Sequence, residues 1–323
     1  TGFDGTLRRW DASTGQEKKT ETINHHQAAV AFSHDRLRLA TSGRDGGKLW
    51  NIATGQLEHQ WPEPALVFRI EFSPDGQRIV ACNSDRVLKV FDVPTGRKVF
   101  SEKTELGILA AVFTADGNRV VSLTNMTGEI RIWDVNENPR PRQLRPPGGE
   151  GAVALMRLDL PPTWQSQLSD ADSRPANLIA AGIGNSIELW DVDAEKQRAT
   201  LLGHDAPLAC FACNAAGTRL FSGDYEGNVM VWNLVTGEPL LEFQAHQPME
   251  VPDWENRGIH SMALSPDGAT LATTGADGQV KLWETNYPSK AIAQQRRLVA
   301  EATEVVDQRF NQLGSLRSVL EAM

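Results

Sequence analysis

The sequence predicts an all-β fold built from one four-stranded unit repeated along the chain. Three observations carry this reading. A short alternating strand ending in an aromatic residue, then a small polar or acidic one, occurs seven times. A glycine turn follows the aromatic at a fixed offset in most units, and two further turn signals precede it. A constant pitch marks stacked supersecondary units, and runs of period two bounded by turn residues mark strands.

The aromatic pairs are Trp10-Asp11, Trp50-Asn51, Phe91-Asp92, Trp133-Asp134, Trp190-Asp191, Trp232-Asn233 and Trp283-Glu284, spaced by 40, 41, 42, 57, 42 and 51 residues. Each closes a strand such as Ile130-Arg131-Ile132-Trp133, whose alternation suits a pleated surface. Five residues past the aromatic stand Gly15, Gly55, Gly96 and Gly237, where a tight turn needs a residue free to adopt positive φ. Earlier in each unit, Ser73-Pro74-Asp75-Gly76 returns as Ser265-Pro266-Asp267-Gly268 and is echoed by Ser33-His34-Asp35 and Thr114-Ala115-Asp116-Gly117. A third turn, Phe3-Asp4-Gly5, Arg44-Asp45-Gly46 or Ala276-Asp277-Gly278, is a hairpin signal before the aromatic strand. Each unit is therefore four short strands joined by three turns. The long spacings reflect a Pro- and Ser-rich insertion from Asp159 to Asn177 and a lengthened loop from Gln247 to Arg257.

With 323 residues, 40 % of them apolar, the chain can bury a core without disulfides or a structural metal. Its net charge of −9 argues against nucleic-acid backbones as the main partner. No apolar run approaches the ~18 residues that span a bilayer, and no signal-peptide pattern opens the sequence. Three cysteines are too few for a secreted disulfide framework. Together these point to a cytoplasmic protein with no membrane insertion.

In order and spacing, residues 1–285 resemble the WD-repeat family, and specifically a bacterial-type fragment of it. The resemblance implies a seven-bladed WD-repeat β-propeller. The first unit opens in the turn before its third strand, so blade one lacks its inner strands. Pro288 stands where the last unit would need glycine, and an upstream segment is expected to complete the ring. The resemblance also implies a tie in each blade, made by a His, a Ser or Thr, an Asp and the Trp. On this sequence the tie falls on His246, Thr273, Asp277 and Trp283, and on His204, Ser222 and Trp232 with Glu226 in the acidic place. In the second unit it falls on Thr41, Asp45 and Trp50, with His25 or His26. The units of Phe91, Trp133 and Trp190 lack the His and are expected to rest on packing alone.

Beyond residue 285 the period changes. Val299, Ala302, Val306, Phe310 and Leu313 form an amphipathic stripe, so residues 286–323 read as a short helical tail. It would either pack on the propeller or meet a partner.

Patterns that suggest chemistry fail on their details. Gly46-Gly47-Lys48 is followed by Leu49 where a phosphate loop needs a hydroxyl. Asp191, Asp193 and Glu195 open like a calcium loop, but Lys196 holds the place that requires glycine. Cys210 and Cys213, three apart on a strand, point to opposite faces. No Ser, His and acid share a strand-to-helix context. The expectation is no catalytic residue, no metal and no cofactor. Arg140, Arg142 and Arg145 form one basic patch, which is either an exposed edge strand or a site for an acidic ligand.

The function expected is a scaffold that binds a protein, a peptide or another domain of the parent chain. The alternative is the regulatory region of a larger enzyme, such as a bacterial Ser/Thr protein kinase. By family analogy the middle turns and the loops entering each unit share one face, where Arg44, Met126, Tyr225 and Trp254 would meet the partner. Tyr225 and Trp254 could instead pack on neighbouring loops.

Overall fold

The structure is a computed structural model that describes residues 6–11, 14, 16–22, 29–43, 46–61, 67–83, 85–124, 126–136, 141–145, 151–158, 177–248 and 258–285. The helical tail expected over 286–323 lies outside these residues, as does most of the insertion after Asp159. Every regular element among them is a β-strand.

Strands β1 (Thr6–Trp10) and β2 (Glu17–Thr22) form a two-stranded sheet of their own. Blade I comprises β3 (Ala29–Phe32), β4 (Arg38–Gly43), β5 (Gly46–Asn51) and β6 (Leu57–Trp61). Blade II comprises β7 (Val67–Phe72), β8 (Arg78–Asn83), β9 (Val87–Asp92) and β10 (Lys98–Lys103). Blade III comprises β11 (Ile108–Phe113), β12 (Arg119–Thr124), β13 (Ile130–Asp134) and β14 (Arg142–Arg145). Blade IV comprises β15 (Ala152–Leu158), β16 (Leu178–Ile183), β17 (Ser186–Asp191) and β18 (Lys196–Leu201). Blade V comprises β19 (Leu208–Cys213), β20 (Arg219–Asp224), β21 (Asn228–Asn233) and β22 (Pro239–Gln244). Blade VI has three strands among the described residues, β23 (Ile259–Leu264), β24 (Thr270–Gly275) and β25 (Val280–Glu284). All pairings are antiparallel between consecutive strands, so each sheet is a meander.

The molecule is an all-β propeller of six blades, which corrects the expected seven. The miscount has a physical origin. Counting aromatic strands counts third strands, and the first of these, β1, pairs with β2 and, among the described residues, with no inner strand. A pair of strands without an inner partner does not make a blade.

The innermost strands β3, β7, β11, β15, β19 and β23 pack beside one another in chain order. Between consecutive blades lie five apolar clusters, one per interface. The repeated aromatic fills them: Phe91, Trp133, Trp190 and Trp232 are each buried against the preceding blade, and Trp283 packs there too. A blade covered on both faces needs apolar residues in both phases of its strands, and all six residues of β16 are buried. On the end blades, Val30 and Phe32 of β3 and Val280 and Leu282 of β25 are exposed.

Candidate functional site

The ties that hold the blades set the stage for everything they display. In blade V, His204 Nδ1 lies 2.8 Å from Asp224 Oδ2, its Nε2 lies 2.7 Å from Ser222 Oγ, and Trp232 Nε1 donates to the same Oγ at 2.7 Å. In blade VI, His246 spans Asp277 and Thr273, each at 2.8 Å, and Trp283 Nε1 donates to Thr273 Oγ1 at 2.9 Å. The acid in blade V is Asp224, two residues after the serine, and not the residue at the Glu226 position. Glu226 is exposed, donates its backbone N–H to Asp224 and accepts from the Gln244 side chain at its backbone carbonyl. In blade VI the corresponding position is Gly275, where a Cβ would meet His246 Cγ at 2.4 Å. A side chain there would displace the imidazole, so the acid must come from farther along the turn.

Asp224, His204 and Ser222 have the connectivity of a nucleophilic triad, but not its setting. All three are buried, and the serine oxygen faces an indole N–H. With a neutral ring, the carboxylate accepts from Nδ1, so Nε2 accepts the serine proton while the indole occupies a serine lone pair. No reacting atom can approach, and the arrangement acts as a pin between strands and loop.

The blades lacking the His are tied by other polar means, which corrects the expectation of packing alone. In blade III, Trp133 Nε1 donates to Ser122 Oγ at 2.8 Å. In blade II, the buried Lys89 ammonium lies 3.2 Å from Asp85. Blade IV uses Glu188, which accepts from Trp190 Nε1 at 2.9 Å and from Arg145 Nε at 2.9 and 3.2 Å. Because Arg145 belongs to β14, this tie also clamps blade III to blade IV. In blade I, whose expected His25 or His26 and Asp45 lie outside the described residues, Trp50 Nε1 donates to Thr41 Oγ1 at 3.0 Å.

The basic patch meets the calcium-like acids at Arg142, its Arg140 lies outside the described residues, and the other two acids pair with arginines outside the patch. Arg142 pairs with Glu195, Arg119 with Asp193, and Arg198 with Asp191 at 2.7 Å. Asp193 also accepts from the Asn177 side chain at 2.9 Å. Burial would raise its carboxyl, but the bonds from Arg119 and Asn177 outweigh that and hold it below the usual carboxylate range. Among the described residues no cluster of His, Cys, Asp or Glu could hold a metal ion. Cys82, Cys210 and Cys213 are free thiols, and burial pushes Cys82 and Cys210 up to about 12. At neutral pH those two are inert apolar fillers.

Backbone bonds show which loops share a face. Tyr225 N–H donates to Pro207 O at 3.1 Å, Leu208 N–H to Gly184 O at 2.9 Å and Thr104 N–H to Arg86 O at 2.8 Å. The connection entering a blade therefore sits at the same end as the middle turns of that blade and its predecessor. On this face Met126 is 70 % exposed. Tyr225 is half-buried and packs on the cluster between blades V and VI. Arg44 and Trp254 lie outside the described residues. The face also carries Leu202, likewise 70 % exposed, which sequence reasoning missed. Its neighbour Leu201 is buried, and two adjacent leucines give no hint of which one leaves the strand.

The WD domain, G-beta repeat family matches residues 55–92, 195–233 and 237–284. Each stretch runs from the outermost strand of one blade through the three inner strands of the next, so the sequence repeat is offset from the sheet by one strand. The chain is 26 % identical over 265 residues to a Protein LST8 homolog of Drosophila pseudoobscura pseudoobscura, covering 79 % of this chain and 78 % of the relative. It is 23 % identical over 317 residues to the Target of rapamycin complex subunit wat1 of Schizosaccharomyces pombe, covering 92 % and 76 %. A Guanine nucleotide-binding protein subunit beta of Arabidopsis thaliana is 24 % identical over 309 residues, covering 88 % and 78 %. These relatives lend no support to the bacterial-type reading. No helix among the described residues is long and apolar enough to cross a membrane.

Proposed function

We propose that the chain is a non-catalytic scaffold whose loop face binds a protein, a peptide or another domain of its parent chain. The observation that carries the reading is the pair of large apolar side chains, Met126 and Leu202, held out from loops braced by the buried Thr124 and His204. Exposed apolar anchors on a rigid frame, on a face that also exposes the polar residues Asn185, Asp205 and Glu226, match the make-up of interaction hot spots. Two of the relatives are named as subunits of larger assemblies, which agrees with such a role. Arg44, Tyr225 and Trp254 complete the proposed partner set. His204, Ser222, Trp232, His246, Thr273, Asp277 and Trp283 serve as the structural tie beneath it. The free thiols suit a reducing compartment, and the cytoplasm is the proposed location. No observation favours the alternative of a kinase-linked regulatory region.

The test compares the chain with its Met126→Ala, Leu202→Ala double variant in capture from lysate and in thermal unfolding. Capture per folded molecule should fall at least about tenfold, the effect of losing two anchors of ~1 kcal/mol or more each. The melting temperature should stay within error. Undiminished capture by a folded variant would place the partner surface elsewhere.

A further inference from the structure

Five of the innermost strands, β7, β11, β15, β19 and β23, line a cavity of about 180 Å³. Its upper layer is set by one recurring irregularity. In five blades the pairing of the innermost strand slips at the same place, before Arg69, Ala110, Ala154, Cys210 and Ser261. Such bulges re-aim the residue that follows. All five of these residues line the cavity. Four of them are small, and their size leaves the space open. The fifth is an arginine.

Arg69 is exposed, and among the described residues no protein group hydrogen-bonds or ion-pairs with it. The Ser261 hydroxyl beside the same cavity is likewise without a protein partner. Lower down, Val112 and Met156 line an apolar stretch, and Glu71 lies 3.4 Å from Arg157 Nη1. That pair cancels its own charge and leaves Arg69 as the uncompensated one. A guanidinium without a protein counter-ion, at a molecule-sized space lined by Ala, Val and Met side chains as well as by Glu71 and Ser261, can receive a carboxylate, because its fork matches two carboxylate oxygens. The volume is close to the ~150 Å³ that admits benzene in an engineered cavity, so the occupant has about six heavy atoms.

We infer that this cavity binds a carboxylate with a short apolar body, with Arg69 as its anchor, Ser261 as a second donor, and Met156 and Met262 against the aliphatic part. The carboxylate is either that of a small free acid or the side chain of an acidic residue on a bound peptide.

The intact chain, labelled at its methionine methyl groups, is titrated with butyrate, with neutral butyramide and with the peptide acetyl-Ala-Glu-Ala-amide. The Met156 and Met262 signals are assigned through Met156→Leu and Met262→Leu. A saturable shift of both with butyrate supports a free acid, and one with the peptide alone supports a peptide-borne carboxylate. Butyramide, and either acid with Arg69→Ala, should bind at least about tenfold more weakly, the effect of one charge-assisted hydrogen bond. Arg69→Lys should fall between. Arg69→Ala should unfold at the same temperature, since Arg69 holds no protein group. Saturation by neither acid, equal binding of butyramide, or undiminished binding by a folded Arg69→Ala would overturn the assignment.

Discussion

Gly227 shows how a single position can be fixed by its neighbours. Its φ of +90° lies in the region side chains avoid, and a Cβ there would come within 1.9 Å of His246 O, a backbone atom that cannot swing away. Its own carbonyl accepts from the N–H groups of Ala245 and His246. Gly227→Ala should therefore destabilise by about 3 kcal/mol in urea unfolding, with strain and displacement adding. Gly55 has a similar φ of +71° but nothing within 4 Å, so Gly55→Ala should cost only the left-handed penalty of about 1 kcal/mol. Equal costs at the two sites would show that the His246 contact does not matter. The sequence marks Gly55 as a turn glycine through its offset from Trp50. Nothing local shows that Gly227 is the more demanding position, because its obstacle comes from the next blade.

At the scale of an element, the polar ties predict how unevenly the blades respond to mutation. Ser222 Oγ serves both His204 and Trp232, whereas Ser122 Oγ serves Trp133. Leaving one buried donor unpaired costs about 1–3 kcal/mol, so Ser122→Ala should fall in that range and Ser222→Ala near or above its top. Equal losses in thermal unfolding would refute the two-partner account. In blade IV, Glu188→Ala would remove the counter-ion of the mostly buried Arg145, which would keep its carbonyl acceptors on Thr127 and Gly128, and would leave the Trp190 N–H without its acceptor. Breaking such a pair costs about 3–5 kcal/mol, and Glu188→Gln, which keeps acceptors, should cost less. Hydrogen exchange should speed up first in β14 and β17, and unchanged protection there would argue against the clamp. The hydroxyl and indole of blade V were legible because they recur at fixed offsets. Glu188 and Arg145 were not, since they stand 43 residues apart and meet only through packing of neighbouring blades.

For the whole molecule, repetition turns small local effects into a pH response. Asp35, Asp75 and Asp267 occupy equivalent turns, each bonded by the hydroxyl of Ser33, Ser73 or Ser265. Hydroxyl and backbone N–H bonds hold all three carboxyls below their ordinary value, against an opposing effect of burial that is largest at Asp75. Asp277 and Glu58 are also lowered; burial opposes this, and their hydrogen-bond donors prevail. A carboxyl lowered in the folded state stabilises fully above its unfolded value, near 3.9 for Asp and 4.3 for Glu, and loses that contribution as pH falls through the folded value. The melting temperature should thus be level from about pH 7 to 5 and drop steeply below about pH 4.5. The Asp35→Asn, Asp75→Asn, Asp267→Asn triple variant should be less stable at pH 7 and show a shallower acid drop. An equally steep drop would locate the acid response in other groups.

The features legible in the chain are local: which residues form strands, where the turns fall, and which aromatic, hydroxyl and imidazole recur. These follow from period-two patterning and turn chemistry, which act over a few residues. Tertiary packing set the blade number, since β1 forms a blade only if inner strands pair with it, and among the described residues none does. It decided that Asp224 and not Glu226 meets His204, because strand register sets which of two nearby acids points inward. It also turned the basic patch into ion pairs and brought Arg69 beside four small residues from four other blades. Such meetings depend on how distant segments pack, and packing at a distance leaves no mark on the local pattern of a chain.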